Sequence, residues 1–321
     1  MRRYSGAMRV IVLGASGFLS AWAIRSLVGD GHLVTAVARP GSDLWRLAGV
    51  DGVSILRAAD AAWPDAIEQS GADALLSLDW SGAATSHHED DAAQLANLPR
   101  QAALIGAAAR AGVTRIVGVG SQTEYGVQQH PIAEEVEPDP ATAYGRAKVA
   151  SQRQLADLAQ RAGIHWVWAR VFSLYGPLDA DARLLPSIAD AAATGSRIAL
   201  TPATQPWSYL AAPDAGRALA LLATDPGAAG IVNVAHPEAP PLRQHIEEFA
   251  AVLGATGLLD FGAIPPGSNS STRIADIGRL RQLGWEPRLD TATALRLTAE
   301  WLRGGTVADP VLSGTTLPTR R

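Results

Sequence analysis

The stretch Arg9-Val10-Ile11-Val12-Leu13-Gly14-Ala15-Ser16-Gly17-Phe18-Leu19-Ser20-Ala21-Trp22-Ala23-Ile24-Arg25-Ser26-Leu27-Val28 reads as strand, glycine turn, helix. An apolar run enters Gly14, and the residues after Ser20 carry helical periodicity. Gly14 permits a tight turn and Gly17 lets the backbone approach a pyrophosphate. The N-terminus of the following helix offers that anion free N–H groups and a positive dipole end. Gly14, Ser16, Gly17, Phe18 and Leu19 are therefore expected to cradle a dinucleotide. Ser20 stands where a third glycine is common, and it is small enough for close helix and strand packing.

A second apolar strand, Leu33 to Ala38, ends at Arg39-Pro40-Gly41-Ser42. An acidic residue at this strand end holds a ribose 2′-hydroxyl, whereas a small residue beside an Arg accommodates a 2′-phosphate. Ala38 and Arg39 fit the second case, so NADPH is expected over NADH. Further on, apolar segments alternate with helical ones: a strand at 74–78, a helix at 93–112, a strand at 115–119, a helix from Tyr144 and a strand at 165–172. That alternation predicts an α/β fold, a doubly wound parallel sheet with helices on both faces and ligands at the carboxyl ends of its strands. Gly14, Arg39, Ser121 and Ser173 fall at such ends.

Tyr144-Gly145-Arg146-Ala147-Lys148 carries the chemistry. Residues four apart share a helix face, which puts Lys148 one turn beneath Tyr144. A free phenol has a pKa of about 10, and a nearby ammonium favours its ionised form. With Ser121 upstream to bond a substrate oxygen, the trio predicts a proton donor for carbonyl reduction.

Composition bounds the rest. At 321 residues with 47% apolar content, the chain can bury a sizeable core. Its net charge of −4, with basic residues scattered, does not suggest a nucleic-acid surface. Without cysteine it has no disulfide, thiol nucleophile or thiolate metal site. No long apolar stretch precedes Gly14, so neither a signal peptide nor a membrane anchor is expected, and the cytoplasm is the expected compartment. His87-His88-Glu89-Asp90-Asp91 lacks the helical spacing of a zinc site and reads as a solvated loop, so no metal is expected. No Gly-x-Ser-x-Gly elbow surrounds Ser121, which argues against a hydrolase. Tyr125 lacks a Lys four residues on and reads as a packed strand-end residue.

Gly14-x-x-Gly17, Asp60, Asn97, Ser121, Tyr144-x-x-x-Lys148, Tyr175-Gly176-Pro177 and Gly284-Trp285-x-Pro287 together resemble the extended short-chain dehydrogenase/reductases, the NAD(P)-dependent sugar epimerase/dehydratase family. The resemblance spans nearly the whole chain and is nearest to the reductases of nucleotide-linked 4-keto-6-deoxysugars. It implies a Rossmann-type domain over residues 8–174 and a smaller, discontinuous substrate lobe over 175–303, with 207–233 returning to the main sheet. The tail, 304–321, has little apolar periodicity and reads as loose. The resemblance also implies Tyr144 as proton donor, Lys148 as the group that lowers its pKa and holds the nicotinamide ribose, and Ser121 on the carbonyl oxygen. Asp60 is expected by the adenine and Leu78 near the middle of the cofactor. Trp80, Ser121, Thr123, Ser173, Gln205 and Trp207 are expected at the substrate. Asn97 reads as a structural helix residue, and a homodimer through the helix bearing Tyr144 is implied.

Within that family, dehydratases place an Asp-Glu pair where this chain has Gln122-Thr123, and epimerases usually keep the acidic ribose ligand that Ala38-Arg39 replaces. NADPH-dependent reduction of a ketone is the expected activity, with a 4-keto group of a dTDP- or CDP-linked deoxysugar as substrate. Two arginines that clamp the diphosphate in the family are absent: Trp207 takes one place, and Pro265 to Ser271 contains no arginine. Arg183, Arg197 or Arg273 are candidate substitutes. A non-sugar ketone and epimerisation are the alternatives. A non-enzymatic NADPH sensor is disfavoured because the chain keeps Tyr144, Lys148 and Ser121.

Overall fold

A computed structural model of the chain describes residues 6–83, 85–128, 130–179, 183–265 and 273–320. Strand β1 (Arg9–Leu13) shows how its centre is built. Val10 and Val12 face one layer, packing with Trp22, Ile24 and Leu27, while Ile11 and Leu13 face the other, with Trp63, Ile67, Leu104 and Ile105. A strand apolar on both faces belongs inside a helix-covered parallel sheet.

The order along the chain is β1, α1 (Phe18–Gly29), β2 (Leu33–Ala38), β3 (Val53–Arg57), α2 (Trp63–Ser70), β4 (Ala74–Ser77), α3 (Asp91–Leu95), α4 (Asn97–Arg110), β5 (Arg115–Ser121), α5 (Ala143–Arg161), β6 (His165–Val171) and β7 (Ser173–Tyr175). It continues with α6 (Leu184–Thr194), β8 (Ile198–Leu200), β9 (Tyr209–Ala211), α7 (Ala212–Thr224), β10 (Gly230–Val234), α8 (Leu242–Leu253), β11 (Leu259–Phe261), α9 (Gly278–Gln282) and α10 (Thr291–Leu302). Seven strands form one parallel sheet in the order β10-β6-β5-β4-β1-β2-β3. The chain winds outward in one direction from β1 and in the other from β4. The crevice beyond the carboxyl ends of these two strands is the switch point where such sheets bind ligands.

Helices α1 and α7 cover one face of the sheet in close contact, and Gly216 is the reason they can. A Cβ there would lie 2.4 Å from the Trp22 carbonyl carbon. The outer lobe carries two short parallel pairs, β8 with β11 and β7 with β9, and packs α8 against α6 and α10. No helix of the described residues is long and apolar enough to cross a membrane.

Two expectations differ from the structure. The single helix expected over residues 93–112 is two, α3 and α4, broken at Ala96. Pro99 has no N–H to bond back across that junction. The tail is packed rather than loose. Val307 and Leu317 are buried, Ala308 bridges Thr316, and Trp301 donates its indole N–H to Pro318 O at 2.7 Å. Asp309 pairs with Arg25 of α1 at 2.7 Å, both side chains being 1% exposed. These anchors are single residues without period, which is why periodicity did not show them.

Candidate active site

Gly14 holds φ at +79°, and a Cβ on it would lie 2.9 Å from Leu78 O. Only glycine fits this turn between β1 and α1, which the backbone after β4 approaches closely. Helix α1 then starts at Gly17 with no side-chain cap, leaving its first-turn N–H groups facing a cleft of about 410 Å³. Gly17, Phe18 and Leu19 form one wall of the cleft, Leu78 and Trp80 a second, and Ser121, Thr123, Tyr144, Lys148 and Ser173 a third. A bare helix terminus over a glycine turn is the surface a pyrophosphate needs, so the residues present fit a dinucleotide cofactor.

On the third wall β5 ends in a short turn, Gln122–Tyr125, that fixes Ser121. Its Oγ accepts from Thr123 N at 3.2 Å and from Thr123 Oγ1 at 3.0 Å. Both contacts bring hydrogens to Ser121, which leaves its own hydroxyl hydrogen free for another acceptor. The same hydroxyl acts on the Tyr144 phenol and favours its ionisation. Thr123 thus stands behind Ser121 as well as lining the cleft. Glu124 closes the turn by accepting Ser121 N–H at 2.8 Å. Its carboxylate, fully buried, pairs with Arg170 at 2.7 Å and accepts the Trp168 indole N–H at 3.0 Å.

Tyr144 lies in the first turn of α5, whose N-terminus Thr142 caps by accepting Gly145 N–H at 3.1 Å. Lys148, 5% exposed, follows one turn on. Its Nζ donates to Val119 O at 2.8 Å and sits 3.7 Å from the centre of the Trp80 ring, whereas the Tyr144 ring centre is 5.6 Å away. Burial brings the ammonium down to about 7, opposed by the negative charges of Glu124 and Asp79. Burial also pushes the Tyr144 phenol up, aided by Glu124, while Ser121 and Arg183 pull it down. The expectation that Lys148 acidifies Tyr144 is therefore not what the geometry gives. The ammonium is turned toward Trp80 and Val119, and Tyr144 is held protonated.

Arg39 stands at the end of β2 as expected, but bonded to Asp60 at 2.8 Å. Arg100 bonds the same carboxylate at 3.1 Å and Asp79 at 3.1 Å, and donates to Asn97 Oδ1 at 2.9 Å. Asn97 is structural: it accepts Ser81 N–H at 2.9 Å and donates to Ser81 O at 3.1 Å. Tyr125 is buried, donates to Asn233 Oδ1 at 2.7 Å, and is pushed up to about 12 by burial. Gln205 and Trp207 stand outside the cleft. Trp207 is held in a bridge to Arg273, and Gln205 O accepts Leu242 N–H. Of the three candidate replacement arginines, Arg183 lines the cleft, Arg197 faces Asp260 at 3.7 Å, and buried Arg273 donates to Gly126 O. Within Pro265 to Ser271, residues 266–271 lie outside the described residues.

Sequence reasoning missed Arg100 and Glu124, and treated His88 as part of a solvated loop. His87, Glu89 and Asp90 are not buried, but the His88 ring stacks on Tyr144 with centroids 4.3 Å apart. Only a tertiary contact brings it there, so no spacing announces it.

Residues 10–235 match the model of the NAD dependent epimerase/dehydratase family. The chain belongs to that family. A 2′-dehydrokanamycin reductase of Streptomyces kanamyceticus is 28% identical over 253 residues, which cover 77% of this chain and 67% of that protein. Among solved structures, a UDP-glucose 4-epimerase of Stenotrophomonas maltophila with bound NAD and formylated UDP-arabinopyranose is 25% identical. It superposes with a TM-score of 0.81 over 92% of this chain and 98% of its own. The UDP-glucose 4-epimerase of Thermus thermophilus, in complex with NAD, shares the fold at 22% identity, with a TM-score of 0.81 over 92% of this chain and 99% of its own. Membership accounts for the glycine turn and the sheet order. The chemistry rests on the residues of the cleft.

Proposed function

We propose that this protein is an NADPH-dependent ketoreductase that converts a keto group on a sugar ring to an alcohol. The observation that carries the reading is the meeting of Tyr144, Ser121 and Lys148 in the same cleft as the uncapped start of α1. Gly14, Ser16, Gly17, Phe18 and Leu19 would hold the pyrophosphate, Leu78 the middle of the cofactor, and Lys148 the nicotinamide ribose. Arg39 would take the 2′-phosphate. It can leave Asp60 without stranding a carboxylate, because Arg100 stays bonded there.

Bound there, the nicotinamide cofactor would supply the hydride that the reduction needs. Ser121, its hydroxyl hydrogen oriented by Thr123, donates to the carbonyl oxygen. Tyr144, kept protonated by burial, gives its proton to that oxygen as the C–O bond becomes single, and the positive charge of Arg183, which favours phenol ionisation, stabilises the phenolate left behind. Water elimination would need an acid and base pair at Gln122 and Thr123. Instead Gln122 donates to Ser173 Oγ at 2.9 Å and Thr123 supports Ser121.

For the substrate, a nucleotide-linked 4-keto-6-deoxysugar is one reading and a ketone without a diphosphate the other. The second is favoured by the arginines, since only Arg183 of the three candidates reaches the cleft, and by the relative that is a 2′-dehydrokanamycin reductase. The test is nicotinamide oxidation with dTDP-4-keto-6-deoxyglucose and with 2′-dehydrokanamycin. One ketone should be reduced with NADPH preferred. Tyr144→Phe should cost about 10²- to 10⁴-fold in kcat while NADPH binding persists. Turnover unchanged in Tyr144→Phe sinks the assignment.

A further inference from the structure

His88 is a cleft residue that the reduction as described does not use. It lies between β4 and α3, and two contacts tie it to Tyr144. Its ring is stacked on the phenol, centroids 4.3 Å apart and planes 3° from parallel. Its carbonyl accepts the Tyr144 backbone N–H at 2.9 Å, one of the first-turn donors that α5 cannot satisfy itself. The imidazole is itself fixed, with Nε2 3.1 Å from Ala83 O. A carbonyl only accepts, so Nε2 carries the hydrogen of that bond.

The segment behind the ring is locked as well. Gln94, fully buried, accepts the Trp80 indole N–H at 2.7 Å and donates to Gly82 O at 2.8 Å and His87 O at 3.0 Å. Trp80 meets the same phenol edge-on at 6.2 Å. Tyr144 is thus bounded by a plate on one face and an indole at its side. Ser121, Glu124 and Arg183 also act on it, and Lys148 lies beneath.

We propose that His88 is a positioning residue for Tyr144: its imidazole plate holds the phenol ring with the hydroxyl at Ser121 and screens it from water. The proposal rests on the reading of Tyr144 as proton donor. A phenol turns about broad torsions, and a donor displaced by about 1 Å loses up to about a hundredfold in rate. Stacking needs a flat ring rather than an imidazole, which separates the plate from any acid or base role of His88.

The experiment compares His88→Ala with His88→Phe by two readouts. With whichever of dTDP-4-keto-6-deoxyglucose and 2′-dehydrokanamycin the enzyme reduces, His88→Ala should lower kcat about tenfold, within the range that misplacement produces. Its NADPH dissociation constant should stay unchanged, and His88→Phe should recover most of the rate. Independently of turnover, an ultraviolet difference titration against the matching Tyr144→Phe protein reports the Tyr144 phenol. Its midpoint should fall in His88→Ala as water reaches the ring and stay high in His88→Phe. A kcat for His88→Ala within twofold of the parent overturns the proposal, as does an unchanged midpoint. If neither ketone is reduced by the parent protein, the reductase reading fails and the titration alone decides the role of His88.

Discussion

Lys148 offers the most quantitative test of the site. Among the described residues the ammonium donates one hydrogen bond, to Val119 O, and lies over the Trp80 face, and burial lowers it from its ordinary 10.5 to about 7. Between those values the unfolded chain binds a proton that the folded protein does not, so stability rises with pH across this window. The penalty is fully present below about 7 and vanishes above about 10.5. Linkage puts it at about 4 kcal/mol near pH 7 and about 1 kcal/mol near pH 9.5. Lys148→Met removes the titration. It also strands the Val119 carbonyl, a cost of about 1 kcal/mol that is the same at both pH values and cancels in the comparison. Urea unfolding of both proteins at the two pH values should therefore show the variant's advantage shrinking by about 3 kcal/mol from neutral to alkaline pH. A difference that stays flat within about 0.5 kcal/mol would mean that Lys148 is well solvated, and the reasoning from its burial would fall.

Two further outcomes follow from the ion pairs. Arg39→Ala should weaken NADPH about ten- to a hundredfold, the worth of a charge-assisted contact of about 1.5–3 kcal/mol, and leave NADH untouched. An unchanged ratio of the two dissociation constants, measured by fluorescence titration, would remove Arg39 from the 2′-phosphate. Asp309→Asn leaves Arg25 charged and buried on α1, and should destabilise the protein by about 3 kcal/mol in urea while exposing the tail to limited proteolysis. Stability equal to the parent would show that the Arg46 and Ala48 carbonyls, which Arg25 also contacts, suffice for it.

The fold was legible because its signals are local. Gly14 and Gly17 interrupt a strand and a helix with clear periods, and β2, β4, β5 and β6 announce themselves by apolar runs, whereas β3, largely exposed, does not. The break at Ala96 was hidden by continuous helical composition, with Pro99 as the single clue. In the site, Tyr144, Lys148 and Ser121 were legible from spacing, because helix geometry fixes residues four apart. Gln205 and Trp207 were not, since whether a loop residue reaches a cleft depends on how the outer lobe packs.

The sequence by itself determined the layered sheet, the glycine turn, the Tyr144 and Lys148 register and Arg39 at the end of β2. These follow from periodicity and steric rules acting over a few residues. The tertiary structure alone decided that Lys148 faces Trp80 rather than the phenol, that Thr123 orients Ser121, that Arg39 and Arg100 share Asp60, and that His88 lies flat on Tyr144. Each joins segments well apart in the chain or depends on which way a side chain turns. Such contacts are set by packing and burial over the whole molecule, and no local pattern encodes them.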